Sequence, residues 1–170
     1  RAPVVQPSPE AGSSAVPEAW NAYVQTTYIW QKKWAFPAAY SGTNSLRPNA
    51  EKSYSFTATA FLGLRLWQGA EFYYNPEAAQ GVPLSGLLGL GGMTNGEMAR
   101  TTGPTLVGYN ARAFLRQTID LGGETAAVAS EANQLAGNVA SRRMVVTVGK
   151  VAMGDIFDEN RYAHDPRNDF

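Results

Sequence analysis

The strongest hydrophobic pattern in the chain is an alternation that runs from Glu51 to Trp67. Every second side chain from Tyr54 to Leu66 is apolar, and the side chains between them are mostly small or polar. Because successive side chains of a strand point to opposite faces, this segment is predicted to be a long β-strand with one apolar and one polar face. A half-solvated antiparallel sheet of a soluble protein would show the same alternation.

Four further segments have the character of strands, and they are residues 20–31, 70–78, 105–119 and 143–148. In the first of them, aromatic side chains stand at both ends of the apolar face, roughly 20–25 Å apart along a tilted strand. Outer-membrane barrels carry aromatic girdles at about that separation, although aromatic residues are also common in ordinary strands. Pro76 removes a donor from the second segment, which predicts a bend, a bulge or an end there.

The connections between these segments differ in length. A tight turn is predicted at 68–70, and long loops are predicted at 32–50 and 81–103. The Ala-rich segment 122–140 is expected to be a loop or a short helix, and residues 149–170 are irregular. Short periplasmic turns and long outer loops tend to alternate in outer-membrane barrels. By that alternation the connection 120–141 lies on the periplasmic side, where it is longer than expected.

Composition and charge narrow the classes of function. The 14 basic and 14 acidic residues balance, which gives no sign of a nucleic-acid groove. The absence of cysteine excludes disulfides and thiolate chemistry. The chain contains no apolar run of about 18 residues, so no transmembrane helix is predicted. A transmembrane strand needs only about 9–11 alternating residues.

Charged side chains recur opposite the apolar faces of three strands, at Arg65, Glu71, Glu77, Arg112 and Arg116. Mixed charges among amides, hydroxyls and aromatic rings suit a water-filled lumen, where such residues select solutes. The rings of Tyr73, Phe114 and Phe61 are candidates to stack on sugars. An ordinary solvated sheet face is the alternative interpretation of these residues.

The sequence predicts no enzyme, no metal site and no cofactor. His164 is the only histidine, which makes Ser-His-Asp catalysis or a multi-histidine metal site improbable. The acidic residues of the tail match no EF-hand spacing, and we interpret them as solvated charges, with a weak cation site as the alternative. These residues are Asp155, Asp158, Glu159, Asp165 and Asp169.

Several ordered motifs resemble those of a known family of proteins. They are WNAYVQTTYIWQ, YSGTNSL, FLGLRLWQGAEFYYNPEAAQGVPLS, GMTNGE, ARAFLRQTIDLGGE, NQLAG and TVGKVAMGDIFDENRYAHDPR. Together, over residues 20–170, they are similar to the N-terminal part of OprB-type carbohydrate-selective porins. The resemblance implies an outer-membrane β-barrel, usually a trimer, through which mono- or oligosaccharides diffuse. It also implies a lumen with Arg, Glu and aromatic side chains at its constriction.

One departure from that family concerns length, since its members are much longer. We expect an all-β fold, a partial transmembrane antiparallel β-barrel of five or six strands, which is too few to close. Either the chain is a fragment of a longer protein, or a second chain completes the barrel, or the segment serves a larger envelope assembly. Residues 1–19 are expected to form an extended Pro/Ser-rich leader and residues 20–170 the barrel portion.

The expected site residues fall into two groups. Those expected to line a pore and meet the sugar are Arg65, Glu71, Tyr73, Asn75, Glu77, Asn110, Arg112, Phe114 and Arg116. Those expected to face membrane lipid are Trp20, Tyr28, Trp30, Tyr54, Phe56, Leu62, Leu64, Phe72 and Tyr74. A structural envelope subunit and a soluble ligand-binding β domain remain the alternative functions.

Overall fold

The computed structural model describes residues 16–101 and 103–154, apart from the side chains at positions 99 and 100. Every element longer than five residues in this part of the chain is a β-strand. The strands are β1 (Trp20–Lys33), β2 (Glu51–Trp67), β3 (Ala70–Val82), β4 (Val107–Asp120), β5 (Thr125–Val128), β6 (Gly137–Ala140) and β7 (Arg143–Lys150). Three short 3₁₀ turns lie between β3 and β4, at Leu84–Leu87, Gly89–Gly92 and Gly96–Arg100.

The fold is all-β, with five strands in one antiparallel sheet ordered β1-β2-β3-β4-β7. Strands β5 and β6 pair with each other as a separate two-stranded sheet. Neither sheet closes on itself within the described residues. Strand β4 pairs directly with β7, in a register that runs from Asp120 opposite Arg143 to Ala113 opposite Lys150.

The alternation pattern predicted the main strands well, and β2 has the predicted bounds. The tight turn before β3 is also confirmed, since Gly69 has φ of 76°, a left-handed conformation that glycine adopts without strain. Strand β3 does not end at Pro76 but continues to Val82. The expectation of a loop or a short helix for 122–140 is wrong, because this segment forms the β5–β6 hairpin.

The chain divides into two compact units. The described part of the first unit comes from Arg1–Tyr23, Ala60–Asn75 and Ala111–Val151. It contains the tight turn and the β5–β6 hairpin. The described part of the second unit comes from Val24–Thr59, Pro76–Asn110 and Ala152–Phe170, and it contains the long connections after β1 and β3.

In the second unit, the strands bury their polar face and expose part of their apolar face. Four small hydroxyl side chains of β2 alternate as its buried set, whereas the intervening Tyr54 and Phe56 are half-exposed. The buried set is Ser53, Ser55, Thr57 and Thr59. This burial is the reverse of a soluble sheet, in which the apolar face packs into the core.

The first unit has a small aromatic core on the same side as its polar residues. Tyr73 and Phe114 pack with Leu135, and Val151 covers them partly. On the alternate positions of β2, Leu62 and Leu64 remain 41% and 47% exposed. The apolar residues that the alternation grouped together therefore stay outside this core.

Two expectations fall wholly or partly outside the described residues. Of the predicted leader, only residues 16–19 are described, and the acidic tail with His164 lies beyond Gly154. Among the residues that the structure does describe, none belongs to a helix long and apolar enough to cross a membrane.

Candidate functional site

In the first unit, Arg65 of β2 and Glu71 of β3 form an ion pair, and the tight turn between the two strands brings them together. The guanidinium Nη2 lies 3.0 Å from Glu71 Oε1. The other carboxylate oxygen of Glu71 accepts a hydrogen bond of 2.7 Å from the hydroxyl of Tyr73. Both side chains of the ion pair are mostly shielded from solvent, so the charges hold each other in a defined geometry.

Arg116 of β4 adds a second cation to this group, and we call Arg65, Glu71, Tyr73 and Arg116 the Arg65 network. Its guanidinium carbon lies 5.1 Å from the ring centroid of Tyr73 and 5.4 Å from that of Phe114. Both distances are within the range of cation–π attraction. The two rings are themselves 5.1 Å apart, at an interplanar angle of 32°.

The tip of the β5–β6 hairpin lies against this network. Arg65 Nη2 donates to the carbonyl of Ala136 at 3.1 Å, and Arg116 Nη1 donates to the carbonyl of Asn133 at 3.0 Å. The backbone N–H of Leu135 donates to the Tyr73 hydroxyl at 3.1 Å. Both arginines therefore donate hydrogen bonds to the backbone of the hairpin.

Glu18 holds the same hairpin tip from the segment before β1. Its carboxylate accepts the backbone N–H of Ala136 at 2.9 Å. That hydrogen bond, and secondarily one with Ser130, holds the pKa of Glu18 below its usual value of 4.5. Glu18 is therefore ionised at neutral pH and anchors the hairpin through a charge-assisted bond.

A groove of about 800 Å³ opens beside the Arg65 network within the first unit. Its size is within the roughly 300–1,000 Å³ typical of small-molecule sites. Polar side chains of both signs line it, among them Arg65, Glu71, Arg116, Gln117, Gln134 and Asn138. Such a lining offers donors and acceptors to a polar solute without a strong net charge.

The second unit contains a buried carboxylate of its own in Glu77, which is 3% exposed. Thr59 donates to Glu77 Oε2 at 2.6 Å, and the Tyr109 hydroxyl donates to Oε1. Thr59 and Glu77 belong to the neighbouring strands β2 and β3. Hydrogen bonds to both oxygens offset the cost of removing this group from water.

The long connection after β3 attaches to the buried hydroxyls of β2 in the second unit. Asn95 Nδ2 donates to Ser55 Oγ at 2.8 Å, and Thr57 Oγ1 donates to Glu97 Oε2 at 2.7 Å. Asn95 also caps the last 3₁₀ turn, because its side-chain oxygen accepts the N–H of Glu97. This cap orients the side chains of Asn95 and Glu97 toward β2.

A third attachment of that connection involves Glu51 at the start of β2. Ser85 Oγ donates to Glu51 Oε2 at 2.6 Å, and the backbone N–H of Arg47 donates to Ser85 Oγ at 3.0 Å. Lys33 Nζ lies 3.5 Å from the same carboxylate oxygen. Both long connections of the second unit therefore converge on one carboxylate.

The expected pore-lining residues are distributed between the two units. Arg65, Glu71, Tyr73, Phe114 and Arg116 come together in the first unit, where Tyr73 and Phe114 are buried under the hairpin. Arg112 is half-buried in that unit, and Asn110 is exposed in the second. Asn75 is fully buried, and neither atom of its amide has a hydrogen-bond partner among the residues that the structure describes.

The expected lipid-facing residues all retain solvent exposure. Those classed as exposed are Trp20, Tyr28, Trp30, Leu62, Leu64 and Phe72. Tyr54, Phe56 and Tyr74 are half-exposed. In the second unit, the rings of Tyr28 and Tyr54 stack with centroids 6.4 Å apart.

Sequence patterns missed the partners that the connections supply. Asn95 and Glu97 lie in a Gly-rich segment without periodicity, and Asn133 acts through its carbonyl, which no side-chain pattern reveals. Asn21 and Tyr109 are strand residues, but only their tertiary contacts identify them. The Asn-Gly-Glu sequence at 95–97 was the available signal, because Asn is a preferred N-cap.

The described residues contain no group of three metal-ligating side chains. No family model, curated protein or solved structure matches this chain.

Proposed function

We propose that this chain forms part of the wall of an outer-membrane pore through which sugars diffuse passively. The observation that carries the proposal is the reversed burial of the strands, with polar side chains covered and apolar side chains exposed. Hydrocarbon is the environment in which that arrangement is stable, because lipid takes the place of water on the apolar face.

The apolar exposure is too extensive for an ordinary water-soluble surface. Leu62, Leu64 and Leu66 are each more than 40% exposed, and Trp20 and Trp30 are more than half exposed. Full burial of one such side chain is worth about 1.5–3 kcal/mol, so a succession of exposed ones is costly in water. Soluble monomers rarely expose contiguous apolar patches beyond a few hundred Å².

Strand lengths fit the same environment. Strands β1 to β4 have 14, 17, 13 and 14 residues, which exceeds the about 9–11 residues that a tilted strand needs to cross a bilayer. Trp20 and Trp30 stand near the two ends of β1, as the aromatic girdles of such proteins do.

The polar face supports a neutral, hydroxyl-rich solute. In the first unit, the groove presents Arg65 and Arg116 together with Glu71 and side-chain amides. Alternating charge signs, with amides between them, offer both donors and acceptors to hydroxyl groups. The resemblance to carbohydrate-selective porins points to the same class of solute.

The proposal includes further strands beyond these five. A membrane barrel needs at least eight strands, and unpaired edges in hydrocarbon cost several kcal/mol for each unsatisfied group. The outer strands of the sheet, β1 and β7, are where such strands pair. They come from the same polypeptide or from other chains, and a trimer of complete barrels is the assembly that the resemblance implies.

Sugar flux into lipid vesicles tests the proposal. The membrane species that contains this chain is extracted in detergent and reconstituted, and the entry of radiolabelled glucose is compared with that into protein-free vesicles. We expect entry that rises with the amount of protein and falls as the sugar becomes larger. Equal glucose entry with and without protein would contradict the pore and favour a structural envelope role.

Membrane association separates the pore from a soluble ligand-binding domain. We expect the species to float with lipid vesicles after a carbonate wash, because its apolar face is in contact with lipid. Recovery in the soluble fraction, with the groove still binding sugar, would replace the pore with a soluble β domain.

A further inference from the structure

The connection between β4 and β7 is much longer than the sheet requires. Asp120 is directly opposite Arg143, and Leu121 N–H donates to the carbonyl of Arg142 at 2.9 Å. Two strands in this register can be joined by a two-residue hairpin turn. The chain uses such a short turn between β2 and β3, yet between β4 and β7 it inserts residues 122–141.

These inserted residues fold back as the β5–β6 hairpin and contact the polar residues of the first unit. Asn21 Nδ2 is within hydrogen-bond distance of Ser130 Oγ, the Glu131 carbonyl and the Gln134 carbonyl, at 3.1, 3.2 and 2.8 Å. The Tyr23 hydroxyl donates to Ser130 Oγ at 2.8 Å. With the bonds from Glu18, Arg65, Tyr73 and Arg116, the hairpin tip is held by β1, β2, β3 and β4.

The hairpin tip also carries an apolar contact. Leu135 is 3% exposed and packs against Tyr73 and Phe114. The backbone hydrogen bonds of the tip and the packing of Leu135 therefore fix the same part of the hairpin. The tip therefore has one defined position against the strands, in contrast to a freely moving surface loop.

Close approach of the hairpin depends on two glycines in the first unit. A Cβ at Gly63 would collide with Asn21 Oδ1, and a Cβ at Gly137 would lie 3.2 Å from Arg65 Nη2. Both positions lie where the hairpin meets the strands. Small residues at these places are what a tightly seated insertion requires.

We infer that the β5–β6 hairpin is a plug that sets the size limit of the proposed passage. The inference rests on the proposed function and adds the element that determines which sugars pass. The hairpin covers the Tyr73 and Phe114 rings, and a groove is open beside the Arg65 network. It lies on the side of the tight turn, which is the periplasmic side in outer-membrane barrels.

The decisive variant replaces residues 122–141 with Asn-Gly, a sequence that suits a two-residue hairpin between Leu121 and Arg142. Vesicles that contain the parent or the variant are compared for entry of glucose and of maltohexaose. We expect the hexasaccharide to enter at least about tenfold faster through the variant, because the restriction is removed, while glucose entry changes far less. Heat-dependent gel mobility reports whether the variant has folded.

A second variant keeps the hairpin but releases its tip. The double substitution Glu18→Ala and Asn21→Ala removes the bonds to Ala136 and to the 130–134 turn. Neither residue lines the groove, so a change in the size limit acts through the hairpin. Val24→Ala, on an exposed side chain of the same strand β1, is the control and should leave both sugars unchanged.

A covalent tie gives the opposite perturbation. The chain has no cysteine, so Asn21→Cys with Ser130→Cys creates one thiol pair for a short bifunctional reagent. We expect the uncoupled pair to admit more maltohexaose and the coupled pair to exclude it again. Loss of folding cannot produce that reversal.

The outcomes distinguish the plug from the pore. If the parent passes glucose and all variants still exclude maltohexaose as the parent does, the plug is wrong and the pore remains. If the parent passes no glucose, the proposed function fails and the plug fails with it. A larger size limit in the loop replacement or the release variant supports the plug, and so does exclusion of maltohexaose that returns when the Asn21→Cys, Ser130→Cys pair is coupled.

Discussion

At the residue scale, the polar side chains of β2 matter because loop residues complete their hydrogen bonds. Ser55 and Thr57 are both buried, and each has a partner from the connection after β3. A buried hydroxyl or carboxylate without such a partner would cost about 1–3 kcal/mol. The small hydroxyls of β2 thus work as attachment points and not as a solvated face.

Thr57→Val tests this attachment directly. The substitution keeps the shape of the side chain but leaves Glu97, which is fully buried, without the hydroxyl that donates to it. We expect the free energy of unfolding to fall by about 2 kcal/mol, measured by urea denaturation in detergent. Thr26→Val, at an exposed position of β1, is the matched control and should stay within about 0.5 kcal/mol. Equal effects of the two substitutions would contradict the attachment.

Glu18 makes the anchoring of the hairpin tip dependent on pH. Its pKa is lowered in the folded state, mainly by the Ala136 N–H and then by Ser130, with smaller contributions from Arg65 and Asn21. A lowered pKa means that the anchor is fully present above the usual value of 4.5 and is lost as the pH falls through the lower folded value. We expect hydrogen exchange at Ala136 to be faster in Glu18→Gln than in the parent at neutral pH.

The same two proteins should converge in acid. Once Glu18 is protonated, both carry a neutral side chain at this position, so their exchange protection factors at Ala136 should converge as the pH falls below the lowered folded pKa of Glu18. A difference that persists unchanged from neutral pH to below that pKa would show that the charge of Glu18 does not hold the tip.

At the element scale, β2 combines the two environments in one strand. Its apolar positions are exposed and its polar positions are covered, so its two faces need different surroundings. The strand also supplies Arg65 to the first unit and Thr59 to the second. A substitution on the apolar face of β2 should therefore affect the folding free energy for a different reason from a substitution on its polar face.

Leu62→Arg tests the environment of the apolar face. If Leu62 lies near the middle of a bilayer, the substitution should cost about 2–4 kcal/mol of folding free energy in lipid vesicles. Leu64→Arg is a companion, since it lies on the same face two residues further along. Leu90→Arg, in the exposed connection after β3, is the control and should cost little. Neutral results for both strand positions would mean that this face does not meet lipid.

The sequence revealed the elements whose patterns are local. Alternation located β2 to the residue, and Gly69 marked the turn after it, because both follow from side-chain period and backbone freedom. The β5–β6 hairpin was not predicted, because Ala-rich sequence has no strong strand period. Its shape depends on distant partners such as Asn21 and Arg65.

The candidate site was predictable in part for the same reason. Alternation placed Arg65, Glu71 and Arg116 on a common polar face, and the structure gathers them. It did not reveal that Tyr73 and Phe114 would be covered by Leu135, which is far away in sequence. The alternation of a strand shows to which face of the sheet each side chain points. Whether that side chain is buried depends on where the connections between strands lie.

At the scale of the whole molecule, an open sheet with an apolar face calls for partner strands. The outermost strands in the sheet order are β1 and β7. In water such edges invite aggregation, and in lipid they cannot remain unpaired. If the proposed pore is correct, the membrane species that contains this sheet is therefore larger than the sheet.

Mass in detergent tests that requirement. We expect the protein component of the membrane-extracted species to be at least about twice the 18.3 kDa of this chain, since a closed wall needs eight strands or more. Sedimentation equilibrium in density-matched detergent measures it. A homogeneous species with the mass of one chain and a native circular dichroism spectrum would contradict the closed wall.

The tryptophans give the outer face an optical property of its own. All four indoles, at positions 20, 30, 34 and 67, are more than half exposed, and none lies in the aromatic core beneath the hairpin. Trp20 and Trp30 lie on the apolar face of β1 and Trp34 in the loop after it, whereas Trp67 donates through Nε1 to Gln117 of the groove at 3.0 Å. If the proposed pore is correct, brominated lipids should quench the emission of Trp20 and Trp30 on insertion, and Trp67→Phe removes the indole next to the groove so that this quenching is measured without interference from a solute.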